Sequence, residues 1–278
     1  MPIEHNIAVT SEPGDVDAMR SLLDGLLRGP KFDTVADMLA SERPALAVGE
    51  IWEAAGFRYR VVESGEWKTT AGGAKLKVLP GSDGFSVLAF GAKGDYDYTS
   101  GVGTDDTSAI RSAIKAVMEA GGKLNFHNRQ YRFTDTLNLS DAGYNNRSFG
   151  FFGDSGNYTR LWFDNIDPTK WAIALGEDVN YFKLVGIELM DRMPWASAGA
   201  MYFKDTRSSA GPSWKHLFND VRITNWRVGA RFDGGTLAGG ADDTHLSEVM
   251  FLHSKCRNCK TGLIYANTQS VNHQLIGM

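Results

Sequence analysis

The chain has 278 residues, of which 29 are Lys or Arg, 33 are Asp or Glu, 31 are glycine and two are cysteine. The charges are nearly balanced and no Lys/Arg cluster occurs, which argues against a nucleic-acid partner or an anionic membrane surface. No run of about 18 apolar residues occurs, so no membrane insertion is expected. The N-terminus lacks a basic segment followed by an apolar one, and a secretory signal is therefore not predicted.

Residues 1–32 are predicted to form a leader helix. Its apolar residues share a helical spacing and make one stripe of Val16, Met19, Leu22, Leu23, Leu26 and Leu27. Gly29 and Pro30 are expected to end this helix. Because so short a stripe does not fold alone, the helix either packs on its own chain, anchors the chain in a larger assembly or forms a trimeric helix bundle with copies of itself.

Residues 33–84 are predicted to form a small α+β head module. A short helix follows Asp33 and Thr34, and residues 48–61 contain two strands joined by a tight turn that ends at Gly56. Residues 69–79 supply another turn and strand, and residues 80–84 are typical of a linker.

Residues 85–139 indicate a strand, a glycine-rich loop, one helix and then short strands. Asp105 and Asp106 open the helix, predicted at about 105–120, where carboxylates accept hydrogen bonds from free N–H groups. Gly121 and Gly122 end it, since glycine readily adopts the left-handed conformation. From residue 123 onward three short segments alternate apolar and polar residues, as strands with one buried face do, at Leu124/Phe126, Tyr131/Phe133 and Leu137/Leu139.

A loose repeat follows in the C-terminal half. Strands that begin with glycine recur at Gly199, Gly229 and Gly262, at intervals of 30 and 33 residues. Such a repeat is typical of a solenoid, in which each coil buries its apolar face only against its neighbours. The apolar strand 274–278 ends the sequence, so the chain is expected to be a truncated, N-terminal piece of a longer protein or to be covered by something outside it.

The region from Phe90 onward resembles the opening of pectate-lyase-like right-handed parallel β-helices. The matching segments are residues 90–95 (FGAKGD), 104–110 (TDDTSAI) and 121–126 (GGKLNF). Two departures are Ala89, where the family usually has aspartate, and an insert at residues 96–103. The resemblance implies a mainly β chain, a single-stranded right-handed parallel β-helix over 85–278 whose N-terminal end is capped by the α-helix.

The head module resembles the module that precedes the β-helix in many bacteriophage tailspikes. The matching segments are residues 34–38 (TVADM), 49–52 (GEIW), 56–59 (GFRY) and 71–76 (AGGAKL). The resemblance implies a tailspike or tail-fibre homotrimer on the virion, made in the host cytoplasm. It would attach to the phage tail, baseplate or an adaptor protein through residues 1–84 and meet host surface polysaccharide through the β-helix. Whether it depolymerises that glycan, as a hydrolase or lyase, stays open, because catalytic residues of such proteins would mostly lie beyond Met278.

Candidate catalytic carboxylates are few. Asp242 and Asp243 with Glu248 offer the paired carboxyl groups that glycoside hydrolysis needs, but a Gly/Asp-rich segment is more typical of a turn. Glu188 and Asp191 flank a strand end and are equally weak candidates.

Two tryptophans and three histidines are further candidates. Trp195 and Trp214 stand in loop-like contexts and are candidates for stacking on sugars, or else for covering loop cores. His216, His245 and His253 are interpreted as turn or surface residues rather than as a cluster.

Neither the two cysteines nor the glycine-containing loop at residues 91–94 predicts a site for a metal or a cofactor. Cys256 and Cys259 form a single C-x-x-C, interpreted as two thiols within the coils, with a disulfide or a metal shared between chains as the alternatives. Residues 91–94 lack the Gly-Lys-Ser/Thr of a phosphate loop. Two functional alternatives also stay open: a non-enzymatic adaptor fibre of the tail, and a bacterial pectate-lyase-like enzyme.

Overall fold

The computed structural model describes residues 28–45, 47–139, 148–154, 159–164, 167–175, 179, 181–205, 215–234, 249–266 and 274–277. The chain divides into two compact units between Leu79 and Pro80. It is mainly β, with 48% of the described residues in strands and 12% in helices. No helix among the described residues is long and apolar enough to cross a membrane. The predicted leader stripe at residues 16–27 lies outside the described residues.

The first unit is a mixed sheet with one short helix. Its elements are β1 (Arg28–Phe32), α1 (Val35–Ala40), β2 (Ile51–Ala54), β3 (Phe57–Val61), β4 (Lys68–Thr69) and β5 (Lys75–Val78). The sheet order is β1-β2-β3-β5-β4, with β1 parallel to β2 and the remaining pairs antiparallel. The hairpin predicted around Gly56 is present as β2 and β3. Its core contains Met38, Trp52, Tyr59 and Leu76, all fully buried.

The boundary predicted for the leader is wrong at its C-terminal end. Residues 28–32, which were assigned to the end of the leader, with Gly29 and Pro30 ending its helix, form β1 and pair with β2. Pro30 is compatible with both structures. Proline has no N–H to donate, and it is therefore found both at the ends of helices and in edge strands such as β1.

The second unit begins with short elements and then consists almost entirely of strands. Its first elements are β6 (Phe85–Ser86), a 3₁₀ turn (Val87–Phe90) and α2 (Thr107–Ala120). Its later strands are β7 (Gly122–Asn125), β8 (Gln130–Phe133), β9 (Leu137–Asn138), β10 (Ser148–Phe152), β11 (Thr159–Phe163), β12 (Trp171–Leu175), β13 (Tyr181–Val185), β14 (Ile187–Asp191), β15 (Gly199–Asp205), β16 (His216–Asn219), β17 (Arg222–Thr224), β18 (Val228–Gly234), β19 (Val249–Leu252), β20 (Lys255–Arg257), β21 (Thr261–Tyr265) and β22 (Gln274–Ile276).

These strands fall into three parallel sheets in a repeating cycle. The orders are β22-β19-β16-β13-β10-β7-β6, β20-β17-β14-β11-β8 and β21-β18-β15-β12-β9. From β7 onward every third strand therefore belongs to the same sheet, and from β10 onward each strand pairs with the one three places earlier. This order is compatible with a β-solenoid, and the described strands form no closed barrel. The six apolar residues predicted to face inward from 124 to 139 are all fully buried.

Aromatic rings stack between successive strands of the same sheet. Phe203 and Phe232 are register partners whose ring centroids lie 4.5 Å apart, and Phe232 continues to Tyr265 at 5.1 Å. Phe218 and Phe251 make a similar stack at 4.6 Å. Each such pair contributes about 0.5–1.5 kcal/mol beyond the burial of its apolar area. The core therefore runs along the stack of strands rather than across a single sheet.

The interval of 30 residues between Gly199 and Gly229 differs by one residue from the observed strand register, which is 29 residues. Gly199 lies beside Val228, because the observed register pairs Met201 with Ala230. Strand side chains alternate between faces, so a slip of one residue would turn the buried Met201 toward solvent. The burial of the apolar side chains thus decides the register, and the glycines do not.

Helix α2 packs against β6, β7, β9 and β10, and its ends differ partly from expectation. Gly121 and Gly122 end it with φ of 76° and 102°. Asp105 accepts a hydrogen bond from the Thr107 N–H at 3.0 Å. Asp106 does not cap its own helix: its carboxylate accepts the N–H groups of Lys93 at 2.6 Å and Gly94 at 3.1 Å. Its role is to hold the preceding glycine loop.

Candidate functional site

The outer face of the sheet β8-β11-β14-β17-β20 carries mostly polar side chains and one tryptophan, and we call it the groove face. Register pairing sets its side chains in two rows across the strands. One row is Gln130, Arg160, Glu188, Arg222 and Lys255, and the other is Arg132, Trp162, Met190, Thr224 and Arg257. Two adjoining clefts of about 510 and 450 Å³ lie on this face and share Arg160.

The insert at residues 96–103 forms one wall of the second cleft. The insert joins the edge of the sheet, since the Tyr96 N–H donates to the Gln130 carbonyl at 3.0 Å. Tyr98 stacks on Trp162 with ring centroids 5.4 Å apart and only 7° between the planes. The Trp162 ring is buried, whereas Tyr98 is 54% exposed. The outer face of the Tyr98 ring is therefore exposed at the edge of the second cleft.

An ion pair forms the floor of the second cleft. Arg160 Nε donates to Glu188 Oε2 at 3.0 Å, and Thr224 Oγ1 donates to Glu188 Oε1 at 3.0 Å. Glu188 is only 4% exposed, so its charge depends on these partners. Asp95 in the first cleft is likewise engaged: burial alone would raise its pKa, but the Thr104 N–H and hydroxyl donors outweigh this and lower it.

A second group of charged residues, formed by Asp164, Arg132 and Arg192, lies on the side of the groove face near the insert. Asp164 accepts from Arg132 Nη2 at 2.8 Å and from Arg192 Nη1 at 3.0 Å. The carboxylate is mostly buried between these guanidinium groups, and charge-assisted hydrogen bonds of this kind are among the stronger ones.

The far end of the face is built from turns that follow three strands. Asn225 and Asn258 have φ of 71° and 51°, and the Asn258 Nδ2 donates to Asn225 Oδ1 at 2.8 Å. Trp195 lies beside them: its Nε1 donates to the Asn258 carbonyl at 2.8 Å, and the Lys260 ammonium lies 5.1 Å from its ring centroid. Trp195 thus lies next to the second cleft, which Asn258 lines, and its contact with sugar stays a prediction.

The carboxylates that the sequence analysis named as catalytic candidates do not form a pair among the described residues. Asp242, Asp243 and Glu248 lie outside the described residues. Glu188 and Asp191 do not form a pair: residues three apart on a strand face opposite sides. Asp191 is fully buried and accepts the N–H groups of Met193 and Ser197, so it organises the following turn. Burial raises its pKa to about 6, against those two donors.

The remaining predicted residues include one correction. Trp214 and His245 lie outside the described residues. His253 is exposed, as expected, but His216 is a core residue, 1% exposed, and burial lowers its pKa to about 3. The sequence analysis placed His216 at the surface because histidine is polar. Its position in the alternation of inward and outward residues along the strand is nevertheless inward, beside Phe182 on the neighbouring strand.

The two cysteines interact with each other. Hydrogen bonding between the thiols, and burial to a smaller extent, raise the pKa of Cys256; the same hydrogen bond lowers the pKa of Cys259 to about 7 against the effect of burial. Both are free thiols. Within the described ranges no three His, Cys, Asp or Glu side chains converge as metal ligands.

Sequence reasoning missed Tyr98, Trp162, Arg160 and Arg257. Trp162 was hidden inside an ordinary strand, and its outward position follows only from its place between the buried Leu161 and Phe163. The one usable signal was the insert itself, since extra residues in a loop before a sheet edge often shape a site. No protein-family model matches the chain, and a search of curated proteins finds no match either.

Proposed function

We propose that this chain is the virion-proximal part of a bacteriophage tailspike or tail fibre. Residues 1–84 would attach it to the tail, and the second unit would present a right-handed parallel β-helix to host surface polysaccharide. The observation that carries this proposal is the cyclic order of three parallel sheets, one of which bears a groove with an exposed aromatic ring and flanking polar groups.

The β-helix and its cap belong to the same proposal. A strand cycle of this kind, with right-handed crossovers as parallel connections prefer, winds the chain into stacked coils. Helix α2 would cover the first coil, since its buried residues Ile110, Ile114 and Val117 face β7 and its neighbours. Three such chains side by side would make the homotrimer.

Recognition without cleavage is the form of this function that the groove favours. The carboxylates that line its two clefts, Asp95 and Glu188, are each held by hydrogen bonds or an ion pair. A general acid for glycoside hydrolysis needs a carboxyl group that is free to deliver its proton to the glycosidic oxygen. A non-enzymatic adaptor fibre is therefore the second candidate.

Three measurements on the full chain test these alternatives. Light scattering at micromolar concentration is expected to give a trimer, and a monomer would contradict the tailspike assignment. Binding is measured on an array of bacterial capsular polysaccharides and lipopolysaccharides, and binding to none would contradict polysaccharide recognition. Binding to a glycan would favour recognition over the adaptor, and a reducing-sugar assay on the bound glycans then tests for cleavage, because released ends would contradict both candidates.

A further inference from the structure

Positive charge is concentrated on the groove face. Five of its ten row positions are basic and one, Glu188, is acidic; the basic ones are Arg132, Arg160, Arg222, Lys255 and Arg257. The chain as a whole carries a formal charge of −4. Neighbouring strands lie about 4.8 Å apart, so these charges form a compact field rather than a scattered surface.

The basic side chains of the groove face differ in whether they already have an acidic partner. Arg132 and Arg160 are engaged by Asp164 and Glu188. Lys255 and Arg257, on β20, are exposed, and the part of the chain that the structure describes gives neither side chain an ion pair. They are two residues apart on one strand and hence on the same face, about 7 Å apart along it. The two exposed cations on β20 are therefore available to a ligand.

The chemistry beside these cations suits a sugar better than a nucleic acid. Glu188, in the middle of its row, is 4% exposed and pairs with Arg160, so the row does not present the unbroken run of free cations that a phosphate backbone favours. Tyr98 offers one exposed ring face at the cleft edge, and the Asn258 side chain lines the same cleft as Arg257. Polyanion binding through a uniform run of cations would need neither feature.

We propose that the groove face binds an acidic polysaccharide. Carboxylates of the glycan pair with Lys255 and Arg257, while a sugar ring packs on Tyr98 and hydroxyl groups meet the Asn258 side chain. This inference rests on the proposed function and adds to it the charge of the glycan and the cations that select it.

The experiment compares matched glycans and matched variants of the full chain. Each acidic capsular polysaccharide on the array is printed in its native form and after chemical reduction of its carboxylates to alcohols. The wild type is compared with the double variant Lys255→Gln/Arg257→Gln and with a control double variant, Lys115→Gln/Arg58→Gln, which removes the same two charges from exposed positions elsewhere. Circular dichroism and Tm establish that the variants are folded.

Binding to native acidic glycans is expected to weaken at least about tenfold on carboxylate reduction, because a charge-assisted contact contributes about 1.5–3 kcal/mol. The Lys255/Arg257 variant should lose a similar factor and the control variant none. Equal binding of native and reduced glycans would overturn the inference while leaving polysaccharide recognition intact, and this comparison needs no variant. Failure to bind any glycan would overturn both proposals. Equally tight binding of duplex DNA, lost in the same variant, would also overturn the inference by showing a non-selective polyanion surface.

Discussion

Replacing His216 by asparagine is expected to remove a large part of the acid sensitivity of the second unit. His216 is 1% exposed, and its Nδ1 accepts the Phe182 N–H at 3.3 Å. The ring of Phe203 lies 5.1 Å from the imidazole. Asparagine keeps an acceptor near the Nδ1 position but does not titrate, so the substitution removes the proton-binding group and leaves the hydrogen bond.

The sign and size of the effect follow from the burial of the imidazole. Burial lowers the pKa of His216 from 6.5 to about 3, so between these values the unfolded chain binds a proton that the folded chain does not. The contribution is fully present above pH 6.5 and is lost as the pH falls. Linkage gives a loss of about 2 kcal/mol between pH 7 and pH 5, rising to about 5 kcal/mol below pH 3.

Two buried carboxylates act in the opposite direction. Burial raises the pKa values of Asp106 and Asp191 to about 6, so their contribution to stability is lost as the pH rises through that value. They are present in both proteins, and the difference between wild type and variant isolates His216.

The assay is denaturant unfolding of the full chain at pH 7 and pH 5. The variant is expected to be less stable than wild type at pH 7, because the smaller side chain leaves a void. Its loss between pH 7 and pH 5 should be smaller than that of wild type by about 2 kcal/mol. His253→Asn, at an exposed position with φ of 50°, is the control and should leave the pH dependence unchanged. An equal pH dependence of wild type and His216→Asn would refute the reasoning.

Three other predictions follow from local geometry. Asp106→Ala leaves two backbone N–H groups without their acceptor and should cost about 2 kcal/mol, or roughly 5 °C in Tm; an unchanged Tm would contradict the role of Asp106 in the loop. Gly229→Ala places a Cβ 2.4 Å from the Gly262 carbonyl oxygen and should cost at least about 2 kcal/mol, whereas Gly262→Ala, with 3.9 Å to its nearest neighbour, should cost less than about 0.5; equal costs would contradict the strand spacing. Cys256→Ala should raise the pKa of Cys259 from about 7 and slow its alkylation by iodoacetamide at pH 7; an unchanged rate would exclude the thiol–thiol hydrogen bond.

Local patterns were enough for the elements near the start of the second unit. The bounds of α2 were predicted to within two residues, because a stripe of apolar residues and a pair of glycines are written within one stretch of chain. The alternation at Leu124, Tyr131 and Phe133 identified buried positions for the same reason. The role of Asp106 could not be read in this way, since its partners Lys93 and Gly94 belong to a loop 12 or 13 residues earlier.

The sequence by itself determined that the chain is rich in short strands with one buried face, and where the helix lies among them. Only the tertiary structure decided which outward residues meet, because neighbours on the groove face come from successive cycles of strands. Arg160 and Glu188 are 28 residues apart, Arg132 and Asp164 are 32. These intervals vary with the length of each loop, and the register is decided by burial of apolar side chains across strands, which no local pattern records.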